Sequence, residues 1–307
     1  MSKELKKMER DYVYDNIANL ISLRDPMVVV VGDTYYMTGT QMPHWKGVSD
    51  GVSLWSTKNF KQWTYHGLIL SRACMPESAW CRDRFWAPEI FDGGDGWFYL
   101  TVSTRNESEK YKHEFGICLA RAKEITGPYE LVSKDGPVCE GIDGTIFKED
   151  GKFYLGHTAS DGLHLDQFDP STGKIIKEQV VAQKGKEGEW DSIGIEGQCV
   201  VKRHGKYFQW YSSWTHGYHA GLMLADNIEG PWVKHENNPW LKETKYWHTC
   251  GHNHSFRALN GKDYITFHAQ SPLDPDDPAD LPRIYIREIT YNADGTVTIN
   301  PEEPNFE

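Results

Sequence analysis

Three acidic residues stand at nearly the same place in a repeated pattern. Asp25, Asp143 and Glu196 precede Gly32, Gly151 and Gly205 by seven, eight and nine residues. Each of these glycines lies between two short β-rich runs. His252 stands nine residues ahead of Gly261, and the remaining repeat offers Trp86-Ala87-Pro88-Glu89 ahead of Gly96. Taken singly, an Asp before Pro, as in Arg24-Asp25-Pro26, is a turn residue, and the pair Glu196-Gly197 carries little information. Taken together they are different, because carboxylates gathered at one structural address repel each other and need a functional reason. Hydrolysis of a glycosidic bond supplies one. It needs one carboxylate ionised to activate water and another protonated at neutral pH to donate to the leaving oxygen. A third carboxylate nearby raises the pKa of the acid by like-charge repulsion.

The elements that must position these residues are visible as repeats. An apolar run, a glycine turn and an aromatic run recur from Met27 to Thr40, Glu89 to Thr104, Thr145 to Ser160, Gln198 to Ser213 and Ser255 to Gln270. Successive turn glycines, Gly32, Gly96, Gly151, Gly205 and Gly261, are 64, 55, 54 and 56 residues apart. Each copy reads as a β-hairpin. A second recurring run follows each hairpin, starting at Gly51, Gly116, Gly162, Gly221 and Arg283. Its apolar and small or polar residues alternate, as in a half-buried strand. Five units of about four strands each predict an all-β fold, a five-bladed β-propeller with four-stranded blades around a central axis. A β-sandwich would space its strands evenly but needs no period of this length. The first strand of each blade lines the axis, so residues opening those strands converge at one end. The reading is of one catalytic domain over residues 1–307, with residues 1–22 as an N-terminal extension. A short helix is expected within the first ~20 residues, where Met8, Tyr12 and Ile17 share a face.

Bulk properties narrow the partners. The formal net charge of −11 argues against nucleic acid, whose phosphates want a basic face. A neutral partner such as a sugar fits, and 12 Trp and 16 Tyr offer rings to stack on sugar faces. No run approaches the ~20 apolar residues of a membrane helix. The opening MSKELKKMERDYVYD has no apolar stretch after its basic start, which leads to an expected cytoplasmic location. Six scattered cysteines without a C-x-x-C pair are then expected as free thiols.

The motifs in order resemble glycoside hydrolase family 43, five-bladed propeller hydrolases that include arabinofuranosidases and β-xylosidases. Arg24-Asp25-Pro26 looks like the opening motif with the catalytic base, and Phe85-Trp86-Ala87-Pro88-Glu89-Ile90 like the Trp-Ala-Pro-acid motif. Ile142-Asp143 with Phe147 is similar to the segment bearing the Asp that tunes and orients. Ile195-Glu196-Gly197 is similar to the one with the general acid. Cys250-Gly251-His252 resembles a late Gly-His motif whose His touches an axial cation or its water. Arg283 resembles a late Arg that contacts substrate. Two departures lie near the pocket. Gln198 stands where an apolar residue is common, and one extra residue separates His252 from Ser255. The resemblance implies an inverting hydrolase: Asp25 as base, Glu196 as acid, Asp143 as modulator. It implies α-L-arabinofuranosides or β-D-xylosides of plant polysaccharides as substrates, and the expected cytoplasmic location, with short imported oligosaccharides as substrate, favours exo cleavage of terminal pentosides. No cofactor is required for the chemistry, and a structural calcium near His252 is implied at the axis.

Other readings remain open from the residues. Trp86 is expected to stack on sugar, and Trp45 and Trp214, in loops at the pocket end, are candidate sugar contacts. His248, Cys250, His252 and His254 stand on alternate positions, which on an unbroken strand would place them on one face as a transition-metal site. An endo-acting relative of the same propeller clan, an arabinanase or xylanase, and a non-catalytic sugar-binding propeller are the alternatives. The aligned carboxylates argue against the binding propeller.

Overall fold

The computed structural model describes residues 23–41, 47–270, 282–302 and 304. The expected helix near Met8 and the candidate contact Trp45 lie outside those residues. Each hairpin forms where a valine- or aromatic-rich run meets its turn. The strands β1 (Arg24–Val31) and β2 (Thr34–Thr40) pair antiparallel across Gly32-Asp33. Two turns show why glycine recurs. Asp150 and Gly151 have φ of 49° and 77° between β9 (Ile142–Glu149) and β10 (Lys152–Ala159), and His204 and Gly205 have 52° and 77° between β14 (Glu196–Arg203) and β15 (Lys206–Ser213). Positive φ at both central residues makes the turn whose twist matches that of the strands it joins.

Five sheets result. The first blade adds β3 (Gly51–Thr57) and β4 (Thr64–Ser71) to β1 and β2. The second runs β5 (Arg84–Asp92), β6 (Phe98–Arg105), β7 (Gly116–Ala122) and β8 (Glu130–Leu131). The third continues from β9 and β10 to β11 (Gly162–Asp169) and β12 (Lys174–Lys177), with β13 (Val180–Ala182) also pairing β11. The fourth continues from β14 and β15 to β16 (His219–Ala225) and β17 (Val233–Lys234). The fifth comprises β18 (His248–Arg257), β19 (Asp263–Gln270), β20 (Arg283–Tyr291) and β21 (Val297–Ile299). Among the described residues the one helical element is a 3₁₀ turn, Arg72–Cys74. The predicted five-bladed propeller is the observed architecture.

The first strands β1, β5, β9, β14 and β18 contact one another in sequence, and β18 closes the ring on β1. Closure is chemical as well: Thr266 Oγ1 donates to the Pro26 carbonyl at 2.7 Å. There is no single core. Apolar residues gather in the seams between blades, around Leu100 and Val52 for blades one and two, Leu155 and Ile117 for two and three, Tyr154 and Tyr207 for three and four, Trp210 and Phe267 for four and five, and Met37 and Phe256 for five and one. The third strands of the first four blades therefore differ from the half-buried reading of their alternation, which β20 alone of the five keeps. Every residue of β3 is buried, and all but one of β7. Neighbouring blades cover both faces, so the small residues are buried with the large ones.

Candidate active site

The first strands share a device that sequence spacing did not expose. Each has a one-residue irregularity in pairing near its start, between Arg24 and Met27, Trp86 and Glu89, Ile142 and Thr145, Glu196 and Cys199, and Gly251 and His254. Each of these bulges holds one residue in the left-handed region: Asp25 (52°), Ala87 (43°), Asp143 (62°), Gly197 (65°) and His252 (46°). A bulge re-aims a side chain at a strand's end. It makes Asp25, Asp143 and His252 structural equivalents. Glu196 comes one position earlier, level with Arg24 and Trp86, and Glu89 comes two positions later. The expectation that all three carboxylates occupy one address is corrected accordingly.

Left-handed backbone at a residue other than glycine costs about 1–3 kcal/mol and needs support from its surroundings. Here each bulge N–H is claimed by a side chain of the preceding blade. Ala87 N donates to Thr40 Oγ1 at 2.7 Å, Asp143 N to Ser103 Oγ at 2.7 Å, His252 N to Ser212 Oγ at 2.8 Å and Asp25 N to His268 Nδ1 at 3.1 Å. The fourth blade departs from this pattern. Gly197 N donates to the Asp143 carboxylate at 3.0 Å, and the equivalent Thr158 Oγ1 is buried without a hydrogen-bond partner among the described residues. Asp143 is thereby tied to the backbone next to Glu196.

The three candidate carboxylates meet around His252. Its Nδ1 lies 3.4 Å from Asp25 Oδ1 and 3.8 Å from Asp143 Oδ2. Thr40 Oγ1 donates to Asp25 Oδ2 at 2.5 Å, and His268 Nδ1 is 3.3 Å from Asp25 Oδ1. Burial alone would raise the pKa of Asp25, but His252, His268, Arg24 and the Thr40 hydrogen bond outweigh it and hold the carboxyl well below its ordinary range. Glu196 goes the other way. Burial first, then the charges of Asp143 and Asp25, push it up to about 7 against the Tyr218 hydrogen bond and His252, which pull it down. Asp143 is raised to about 8 by burial and the Asp25 charge. One carboxylate is thus kept ionised, and the neighbouring pair is kept near the protonated state at neutral pH.

Other residues were not singled out from the sequence. The Tyr218 hydroxyl donates to Glu196 Oε1 at 2.8 Å, and its ring stacks on His268 with centroids 5.3 Å apart. A pocket of about 80 Å³ opens here, lined by Arg24, Tyr218, Thr249, His268, Ala269, Gln270 and Pro282. Arg283 opens β20 opposite Ala269, beside that lining. Trp86 stands level with Glu196 in its own blade, with one ring face stacked on Phe115 at 4.3 Å. Trp214 is exposed on the β15–β16 connection, its ring packed over Gly194, two residues before Glu196. Glu89 is a fourth buried carboxyl at the axis, pushed up to about 7 by burial and the Asp143 charge against Thr145 and His252. A signal for Thr40 and His268 was present: Thr40, Ser103, Thr158, Ser212 and His268 occupy one repeat position. The one-face reading of His248 to His254 fails, because bulges after His248 and Gly251 break the alternation. His248 pairs instead with Glu243.

Comparison with known proteins places these features. The profile of glycosyl hydrolases family 43 matches residues 15–297. The extracellular exo-α-(1→5)-L-arabinofuranosidase of Cellvibrio japonicus is 21% identical, with 93% of this chain and 88% of that protein covered. The extracellular endo-α-(1→5)-L-arabinanase 2 of Bacillus subtilis is 24% identical, with 75% of this chain covered, and this chain spans only 54% of its length. A crystal structure of a thermostable family-43 glycoside hydrolase superposes with a TM-score of 0.76 at 23% identity, covering 95% of this chain and 96% of that one. The expected cytoplasmic location does not stand, since these two relatives are among several named as extracellular enzymes. That expectation rested on the opening residues alone, and the propeller itself carries no mark of compartment. All six cysteines are unpaired.

Proposed function

The chain belongs to glycosyl hydrolases family 43 and is an enzyme that hydrolyses glycosidic bonds in carbohydrate, and on that premise we propose that it removes terminal pentose units, α-L-arabinofuranosyl or β-D-xylosyl, from plant oligosaccharides with inversion. The opposed proton affinities of Asp25 and Glu196 carry this reading. Asp25, held ionised, takes a proton from the attacking water. Glu196 donates its proton to the departing oxygen. Tyr218 occupies Oε1, which leaves Oε2 to carry that proton. Asp143 raises the pKa of Glu196 and, through Gly197 N–H, fixes the backbone that aims it. Inversion requires water between base and acid, with carboxyls about 6.5–9.5 Å apart. Trp86, Arg283, Trp214, His252 and Trp45 are the proposed sugar contacts.

Exo action is supported by the near-full-length match to an exo-acting relative. An axial calcium, a hard cation that takes oxygen ligands, would be faced by His252 through a bound water rather than through a ring nitrogen. Such an ion would supply positive charge beside the carboxylates.

The test is hydrolysis of nitrophenyl arabinofuranoside, xyloside, galactoside and fucoside by wild type, Asp25→Asn and Glu196→Gln. Cleavage of one pentoside, lost in both variants, is expected. Release of only internal fragments from a linear arabinan would replace exo with endo action. Activity surviving Asp25→Asn would remove that residue as base.

A further inference from the structure

Blade three contains a second cluster of ligand-type side chains, away from the axis. His157 on β10 stands directly opposite His164 on β11, and Asp166 lies two residues on, on the same face as His164. His157 and Asp166 are 3% and 2% exposed. His157 Nε2 is 2.9 Å from Asp166 Oδ2, His164 Nδ1 is 3.4 Å from Asp166 Oδ1, and one ligand atom from each residue falls within 4.8 Å of the others. Tetrahedral ligands about 2.1 Å from a zinc ion lie about 3.4 Å from one another. His164 Nδ1 is buried without a hydrogen-bond partner among the described residues, while its Nε2 is fixed by Asp161 Oδ1 at 2.8 Å. Asp166 Oδ1 is held in turn by Gln179 N–H at 2.7 Å.

We propose that His157, His164 and Asp166 bind a divalent transition-metal ion of the zinc class. Charge favours it over a plain hydrogen-bonded triad. Among the described residues the buried Asp166 has only the two imidazoles as ion-pair partners, and a divalent cation would set a fixed positive charge against it. Asp161 then acts as the outer carboxylate that sets the tautomer of a ligating imidazole. It is 58% exposed at the side chain, which leaves an entry route. The site is structural. It joins β10 to β11 one residue from Thr158, which pairs with Ile142 beside Asp143.

Metal-stripped full-length protein is titrated with Co²⁺ and Zn²⁺ by equilibrium dialysis and visible absorption. Wild type and His252→Gln are expected to bind one equivalent with the intense visible bands of tetrahedral Co²⁺, and Zn²⁺ is expected to raise the melting temperature. His164→Gln should lose the equivalent, the bands and the thermal shift. Failure of wild type to bind, or an equivalent retained in His164→Gln, overturns the site. If His164→Gln does not fold, X-ray absorption of the zinc-loaded wild type decides. A shell of two imidazoles and carboxylate or water oxygen supports the site, and a shell with sulfur or without imidazole refutes it.

Discussion

Replacing Tyr218 with Phe tests the coupling between the pocket and the proposed acid. The ring keeps its stack on His268 and its place beneath the Arg24 guanidinium, 5.9 Å from the ring centre, so the hydroxyl is the only group lost. That hydroxyl donates to Glu196 Oε1 at 2.8 Å and so favours the ionised carboxylate. A hydrogen bond to a charged group contributes about 1.5–3 kcal/mol, and one pKa unit corresponds to about 1.4 kcal/mol. Removing it should therefore raise the pKa of Glu196 by about 1–2 units from its value of about 7. The assay is kcat/KM against pH on whichever aryl pentoside the wild type cleaves, which reports the acid of the free enzyme. Because Asp143 and Glu196 titrate together, the alkaline limb belongs to the pair. It should move upward by about 1–2 units, with the variant retaining more of its own maximal rate at alkaline pH. An alkaline limb that stays in place or moves downward would refute the proposed roles of Tyr218 and Glu196.

Two further predictions concern stability. Glu89 has a folded pKa of about 7 against an ordinary 4.5, so between those values the native state holds a proton that the unfolded chain has released. Stability therefore falls as pH rises through that window, by about 3 kcal/mol. Glu89→Gln removes this loss. In urea unfolding it should gain about 3 kcal/mol relative to wild type between pH 4 and pH 8, and an equal difference at both pH values would contradict the account. Thr40→Val breaks the bond to Asp25 and leaves Ala87 N–H buried without its acceptor. The expected cost is about 3–5 kcal/mol, whereas Thr40→Ser keeps both bonds and should unfold within about 1 kcal/mol of wild type. A Thr40→Val loss below about 1 kcal/mol would show that the inter-blade bonds do not support the bulges.

The sequence by itself determined the propeller, the number of blades and the positions of Asp25, Asp143 and Glu196 within them. These features follow from local chemistry: glycine where φ must be positive, β-branched and aromatic runs on either side, and a period that repeats with each blade. It also showed a row of Thr, Ser and His at one repeat position, readable only once the blades are aligned. What tertiary structure decided is how those positions aim. Asp25 pairs through its backbone with His268, 243 residues away, and Gly197 with Asp143, 54 away. Glu196 stands one residue before the bulge position held by Asp25 and Asp143, because the turn glycines do not lie at one fixed distance from the bulge in every hairpin. The split in proton affinity arises from burial and from charges brought together at the axis, and neither is a property of any segment. Tyr218 reaches Glu196 from the connection between β15 and β16 of the same blade. His157 and His164 become neighbours because β10 and β11 pair in one register, and a shift of one residue would point them to opposite faces.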